Sequence, residues 1–231
     1  MNTKALFRQT SVFVLKSCIG LFLLASVQNC SKEKKVSAPE TSEILFNKLD
    51  HSTTGIAFNN KLTESDTLNF FTYCYLYMGG GVAAGDINND GLIDLYFTGN
   101  QEQNKLYLNK GNLQFEDITD KAGVVGDSRW YTGVTMADVN NDGLLDIYCS
   151  VAGQSGSKKN QLFINNGDLT FTEMASEFGL DDRGNSIQAT FFDYDNDGDL
   201  DVYVANYPQI PFSTTVQAYK YLTTVVKDIE S

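Results

Sequence analysis

Three segments of this chain carry one pattern: GDINNDGLIDLYFTG from Gly85, ADVNNDGLLDIYCSV from Ala137 and FDYDNDGDLDVYVAN from Phe192. Their lead aspartates, Asp86, Asp138 and Asp193, stand 52 and then 55 residues apart. Such self-similarity restricts the fold to a stack or ring of like units. A second signature lies between the copies. NKLYLNKGNLQFEDIT from Asn104 and NQLFINNGDLTFTEMA from Asn160 each read as two short alternating strands around a tight turn at Gly111 or Gly167.

The distance from Asp94 to Asn104 is 10 residues and that from Asp146 to Asn160 is 14, which places the extra length in a loop at Gly153 to Lys159. Each period then holds a strand such as Gly81 to Ala84, an acidic loop, a strand such as Leu95 to Thr98, and a hairpin. Four strands in roughly 50 residues is the size of a propeller blade, whereas helical or leucine-rich solenoid units of roughly 20 to 35 residues are shorter. The expected fold is all-β, a partial β-propeller of about three blades.

In every copy, oxygen-bearing side chains fall at loop positions 1, 3, 5 and 9, with glycine at position 6. Copy one has Asp86, Asn88, Asp90, Gly91 and Asp94; copy two has Asp138, Asn140, Asp142, Gly143 and Asp146; copy three has Asp193, Asp195, Asp197, Gly198 and Asp201. Hard oxygen donors suit calcium rather than zinc or copper. Glycine permits the turn that brings round position 7, where Leu92, Leu144 or Asp199 would offer a backbone carbonyl. An EF-hand is excluded, because its glutamate position is filled by Phe97, Cys149 and Val204 and the flanks LYFT, IYCS and VYVA are β-rich. One such loop would equally be a solvated turn. Three copies holding 11 of the 29 acids, counting Asp199, are self-repelling unless a cation is present. About three structural Ca²⁺ ions are expected.

The remainder of the chain bounds its surroundings. Lys4, Arg8 and Lys16 precede the apolar run from Ile19 to Val27, with no acid before Glu33, as in an export signal over residues 1–29. Cys30, followed by SKEKK, is placed as a lipidated cysteine, and residues 30–50 read as a tether. A plain secretory signal is the alternative. Removing three positive charges and no negative ones takes the formal charge from −12 to −15, which disfavours nucleic acid and anionic lipid surfaces. Membrane contact is expected through the lipid anchor only.

Enzymatic signals are lacking. His51 is the single histidine, and HSTTG resembles neither a nucleophile elbow nor a catalytic loop, so it is read as a surface residue. Cys74 and Cys149 are expected as buried free thiols in strands of different blades. Phe71, Tyr73, Tyr75 and Tyr77 fall on one side of a period-two run; blade packing is favoured over a sugar-binding or protein-binding platform. Trp130 is read as packing between blades ahead of capping a ligand groove.

The pattern D-x-[DN]-x-D-G-x-x-D between strands, followed by N-x-L-[YF]-x-N-x-G-x-[LF]-x-F, resembles the FG-GAP/VCBS repeat family. That resemblance implies a calcium-bound β-propeller over residues 51–210, like the head of integrin α subunits. The stretch from Thr54 through Gly91 is similar to the start of bacterial surface lipoproteins that carry these repeats ahead of an ASPIC/UnbV domain. After Pro211 the pattern stops, and residues 211–231 read as an amphipathic helix or frayed end. The expectation is an amino-terminal portion of a longer ancestral protein, a truncated product, or a partial propeller that self-associates to cover its open edges.

The resulting functional expectation is a calcium-binding, non-enzymatic module of an outer-membrane or cell-surface lipoprotein that binds a protein or a glycan. The alternatives are a carbohydrate-active enzyme or polysaccharide-uptake accessory on the same fold, a truncated product without function, and a periplasmic or secreted location.

Overall fold

The computed structural model describes residues 46–154, 156–207 and 226–228. The first repeat folds as an antiparallel meander of β1 (Val82–Gly85), β2 (Asp94–Phe97), β3 (Lys105–Asn109) and β4 (Phe115–Asp117), hydrogen-bonded in that order. The second repeats it with β5 (Trp130–Ala137), β6 (Asp146–Ala152), β7 (Gln161–Asn165) and β8 (Phe171–Glu173). A third sheet pairs β9 (Ser186–Phe192) with β10 (Asp201–Asn206), and β10 with β11 (Val226–Asp228). Register recurs with the sequence. Leu95 and Tyr96 face Tyr107 and Leu106, and Ile147 and Tyr148 face Phe163 and Leu162.

The chain is nearly all β and propeller-like, and its cores lie between sheets. One cluster joins Tyr96, Leu106 and Leu108 of the first sheet to Val134, Ile147, Cys149 and Phe163 of the second. Another joins Tyr148, Leu162 and Ile164 of the second to Ala189, Val202 and Val204 of the third. The second sheet is covered on both faces, so β6 is buried along its whole length and its sequence is correspondingly apolar. Close approach demands small residues. A Cβ on Gly81 would lie 2.8 Å from the Val134 nitrogen across the first junction.

Among the described residues, two one-turn helices, α1 (His51–Thr54) and α2 (Thr119–Ala122), each end at a glycine with positive φ, Gly55 at +80° and Gly123 at +74°. These are left-handed stops that favour glycine. At the end of the sheets remote from the acidic loops, Tyr73, Leu76, Trp130, Ala152 and Tyr207 form a third cluster.

Several expectations are corrected. The strands expected at Gly81 to Ala84 and Leu95 to Thr98 run from Val82 to Gly85 and from Asp94 to Phe97. The Phe71 to Met78 run is no strand. It is a series of turns ending in a 3₁₀ turn, Leu76–Met78. The Asn69 side chain accepts from the amides of Phe71 and Thr72 at 3.0 and 3.1 Å, offering the backbone a local alternative to a sheet ladder. The four aromatics therefore part company: Tyr73 is buried, Tyr75 half-buried, and Phe71 and Tyr77 exposed. Cys74 is half-buried in this segment rather than in a strand, while Cys149 is a buried free thiol as expected. Val226–Asp228, expected within a helical or frayed tail, is a strand antiparallel to β10, in keeping with the β-branched TTVV run that leads into it. The export signal and Cys30 lie outside the described residues.

Candidate metal centre

The acidic loops connect the first and second strands of each sheet, and all three are built alike. The position-1 aspartate binds the loop's own backbone: Asp86 accepts from Asp90 N and Gly91 N at 3.1 and 2.7 Å, and Asp138 from Asp142 N and Gly143 N at 3.0 and 2.8 Å. Asp193 accepts from Asn196 N and Gly198 N at 2.6 and 3.2 Å. Position 5 accepts from the amide of position 7: Asp90 from Leu92, Asp142 from Leu144, and Asp197 from Asp199. The turn needs left-handed backbone twice. Gly91, Gly143 and Gly198 have φ of +84°, +86° and +99°, and Asn89, Asn141 and Asn196 have φ of +57°, +57° and +63°. Asparagine is among the few non-glycine residues that enter this region readily.

Position 9 does a different job from positions 1 to 5. Asp94, Asp146 and Asp201 are buried. Asp94 accepts from Ile87 N and Asn109 N at 3.0 and 2.7 Å, Asp146 from Val139 N and Asn165 N at 2.9 and 2.8 Å, and Asp201 from Tyr194 N at 2.7 Å. In the first two sheets this carboxylate ties the loop to the end of the hairpin. Each oxygen retains a second lone pair, so these bonds are compatible with metal ligation. The sequence reading credited these aspartates with ligation alone and missed the partner asparagines, Asn109 and Asn165. The N-x-G at each hairpin turn was their visible mark.

The electrostatics are those of uncompensated acid. Among the described residues, the four ion pairs involve none of the loop carboxylates. Burial, joined by the charges of Asp142 and Asp138, pushes Asp146 up to about 6 against its two amide donors. Asp94 moves up for the same reasons. In the third loop Asp199 is pushed up to about 6, first by its hydrogen bond with Asp197 and then by burial and the neighbouring carboxylates. Carboxylate oxygens of Asp193, Asp195 and Asp197 lie within 4.8 Å of one another, all on exposed side chains.

A calcium ion fits this donor set. The three side chains bring oxygen atoms and no thiolate or imidazole, and like charges so close are stabilised by a divalent cation. In the first two loops asparagine replaces the middle carboxylate, and the Asn88 and Asn140 amides now donate to Asp90 and Asp142 at 3.0 and 2.8 Å. Those loops thus bring the position-3 amide onto the position-5 carboxylate, and among the described residues three carboxylates come within 4.8 Å of one another in the third loop alone.

Other candidate sites are less developed. Trp130 is mostly buried, edge-on to Tyr73 with ring centroids 5.5 Å apart, which fulfils the packing role. It also borders an open cleft of about 560 Å³ with Arg129, Asp127 and Gln103. Arg129 is held there by Asp127 at 2.9 Å and by the Lys159 carbonyl at 2.7 Å. His51 is exposed at the start of α1. No helix among the described residues is long and apolar enough to cross a membrane.

The family described as FG-GAP-like repeat matches residues 59–149 and 150–204. Cartilage acidic protein 1 of Xenopus tropicalis is 33% identical over 133 residues, covering 56% of this chain and 20% of that protein. The protein of the same name from Mus musculus is 31% identical over 130 residues, and that from Homo sapiens 29% over 136, each covering 55% of this chain and 20% of the relative. The chain thus spans about a fifth of the length of these relatives.

Proposed function

This chain belongs to the FG-GAP-like repeat family, and we propose that it is a calcium-stabilised, non-enzymatic binding module, exported and held at the cell surface through Cys30. The observation that carries the calcium reading is the threefold acidic loop motif, whose third copy brings three carboxylates within 4.8 Å of one another, with no ion pair to any loop carboxylate among the described residues. Asp86, Asn88, Asp90 and Asp94 would hold one ion, Asp138, Asn140, Asp142 and Asp146 a second, and Asp193, Asp195, Asp197 and Asp201 a third. The carbonyls of Leu92, Leu144 and Asp199 complete the sets. The ion supplies charge neutralisation and loop rigidity.

The protein's own part is preorganisation. Loops already fixed by their internal hydrogen bonds lose less entropy when a protein or glycan partner docks on them. At ~1 mM external calcium and a dissociation constant of ~0.1 mM, each site stabilises the fold by about 1.4 kcal/mol. The module needs no nucleic acid, and its membrane contact is the lipid anchor.

The test is thermal unfolding followed by circular dichroism, with calcium added back after chelation. The expected result is a cooperative transition that rises with Ca²⁺ and rises less with Mg²⁺. An unfolding temperature indifferent to calcium up to millimolar levels would overturn the reading.

A further inference from the structure

The second strand of every repeat places a tyrosine at one position: Tyr96, Tyr148 and Tyr203. Tyr96 and Tyr148 are fully buried beneath the following sheet. Their hydroxyls donate to the carbonyls of Val124 and Leu180 at 2.7 and 3.0 Å, each one residue beyond a left-handed glycine, Gly123 or Gly179. Tyr203 is 37% exposed. Tyr194 is 70% exposed, whereas its equivalents Ile87 and Val139 are buried in the two junctions. Among the described residues none covers the front of the third sheet, the face covered in both earlier sheets, and Phe192, Tyr194 and Tyr203 form an aromatic surface there.

The rear of the first sheet is its counterpart. Val82 and Ile93 are 58% and 51% exposed, and Ala84 is exposed beside them. Their equivalents Val134, Leu145 and Met136 belong to the first junction, where a Cβ on Gly85 would lie 2.6 Å from Leu145 Cδ1 and 3.0 Å from Met136 Sδ. Residue sizes at this place are reciprocal. Gly85 meets Met136, Ala137 shares a cluster with Phe191, and the two open positions are Phe192 on the front and Ala84 on the rear.

Residues 51–58 sit on the first sheet as the tail of a preceding repeat would. Gly55 packs on the Phe115 carbonyl as Gly123 packs on the Phe171 carbonyl, and each follows a single helical turn. Phe58 stacks on Phe97 with ring centroids 5.1 Å apart. Ile56 thus follows its left-handed glycine as Val124 and Leu180 follow theirs.

We propose that the front of the third sheet seats on the rear of the first sheet of a second copy of this chain. Tyr203 donates to the carbonyl of Ile56 of the partner subunit, and Phe192 packs over Ala84 of the partner subunit. The contact continues the two junctions already present within the chain and is heterologous. Made twice, it uses both open faces of each copy, giving six repeats, within the ~4 to 8 blades over which propellers close. It rests on junction geometry and is independent of the calcium reading.

Sedimentation equilibrium of the chain tests this. The wild type is expected at twice the chain mass. Phe192→Asp and Val82→Asp change exposed side chains, and each alone should raise the dissociation constant by about 100-fold or more with unchanged circular dichroism. An equimolar mixture of the two variants keeps one front and one rear intact, so a heterodimer should return. Tyr203→Phe, a milder change, should weaken association without altering the unfolding temperature of the monomer, and it serves if either charged variant misfolds. A monomeric wild type, a dimer indifferent to these substitutions, or a mixture that stays monomeric would each overturn the proposal.

Discussion

The side-chain amide of Asn165, at the end of β7, donates to the Ile87 carbonyl in the first acidic loop at 2.8 Å, across the junction between two sheets. Its other proton reaches the Leu145 carbonyl at 3.1 Å, and its backbone amide holds Asp146. One residue thereby links the first loop, the second loop and a hairpin. Asn165→Ala should cost about 1–3 kcal/mol, because Ile87 lies in a buried setting and its carbonyl would lose that partner. Asn109, the equivalent residue in the first sheet, has its amide on the Ile93 carbonyl at an exposed site. Asn109→Ala should cost clearly less in urea denaturation. Equal losses would show that the link across the junction carries no stability.

Two glycines should respond differently to a methyl group. At Gly143, φ is +86° and an added Cβ would meet nothing within 4 Å, so Gly143→Ala suffers backbone strain alone, about 1–2 kcal/mol. At Gly81 the Cβ would lie within 3.0 Å of backbone atoms of Gly133 and Val134. Gly81→Ala must push two sheets apart and should destabilise more, as overpacking does. Unfolding midpoints of the two variants decide the order. A Gly81→Ala loss no larger than that of Gly143→Ala would mean that the first junction opens at little cost.

The repeat made much of this architecture legible. Alternation and turn residues located the meanders, because half-buried strands keep a period of two and the hairpin glycines have few substitutes. The acidic loop gave its own geometry, since Gly91, Gly143 and Gly198 occupy positions that require positive φ. What stayed hidden depended on tertiary partners. Phe71 to Met78 alternates as a strand does, yet Asn69 and Thr72 fold it into turns by local hydrogen bonds. The buried pairing of Asp94 and Asp146 with the hairpin amides joins residues 15 and 19 apart through backbone atoms, so the N-x-G turns mark the asparagines without showing which aspartate they hold.

Cysteine chemistry should separate the two thiols in the described fold. Cys149 has no exposed surface, and burial pushes its thiol up to about 12, so little thiolate is present at neutral pH. Cys74 is half-buried in a turn segment. Alkylation of the native chain, read peptide by peptide by mass spectrometry, should modify Cys74 well before Cys149. Denaturant should abolish the difference. Equal native rates would mean that the second sheet opens on the labelling timescale.

Asp117 offers a pH test away from the acidic loops. Burial pushes this carboxyl up, but the Thr119 hydroxyl, the Lys105 ammonium and the Thr119 amide together bring it below its ordinary value. The Lys105 ammonium is 2.9 Å away, and Thr119 N donates at 3.0 Å. A depressed folded-state pKa stabilises the protein above the unfolded value, ~3.9, and the gain fades as pH falls through the folded value. The side chain is 38% exposed, so solvent screening limits the contribution to about 0.5–1 kcal/mol at pH 7. Asp117→Asn should therefore unfold at a lower temperature than the wild type at pH 7, and the gap should narrow as the pH is lowered to ~3. The other carboxylates are common to both chains, so the difference isolates this one. A gap that persisted unchanged at pH 3 would assign the loss to packing or helix entry rather than to the ionised carboxylate.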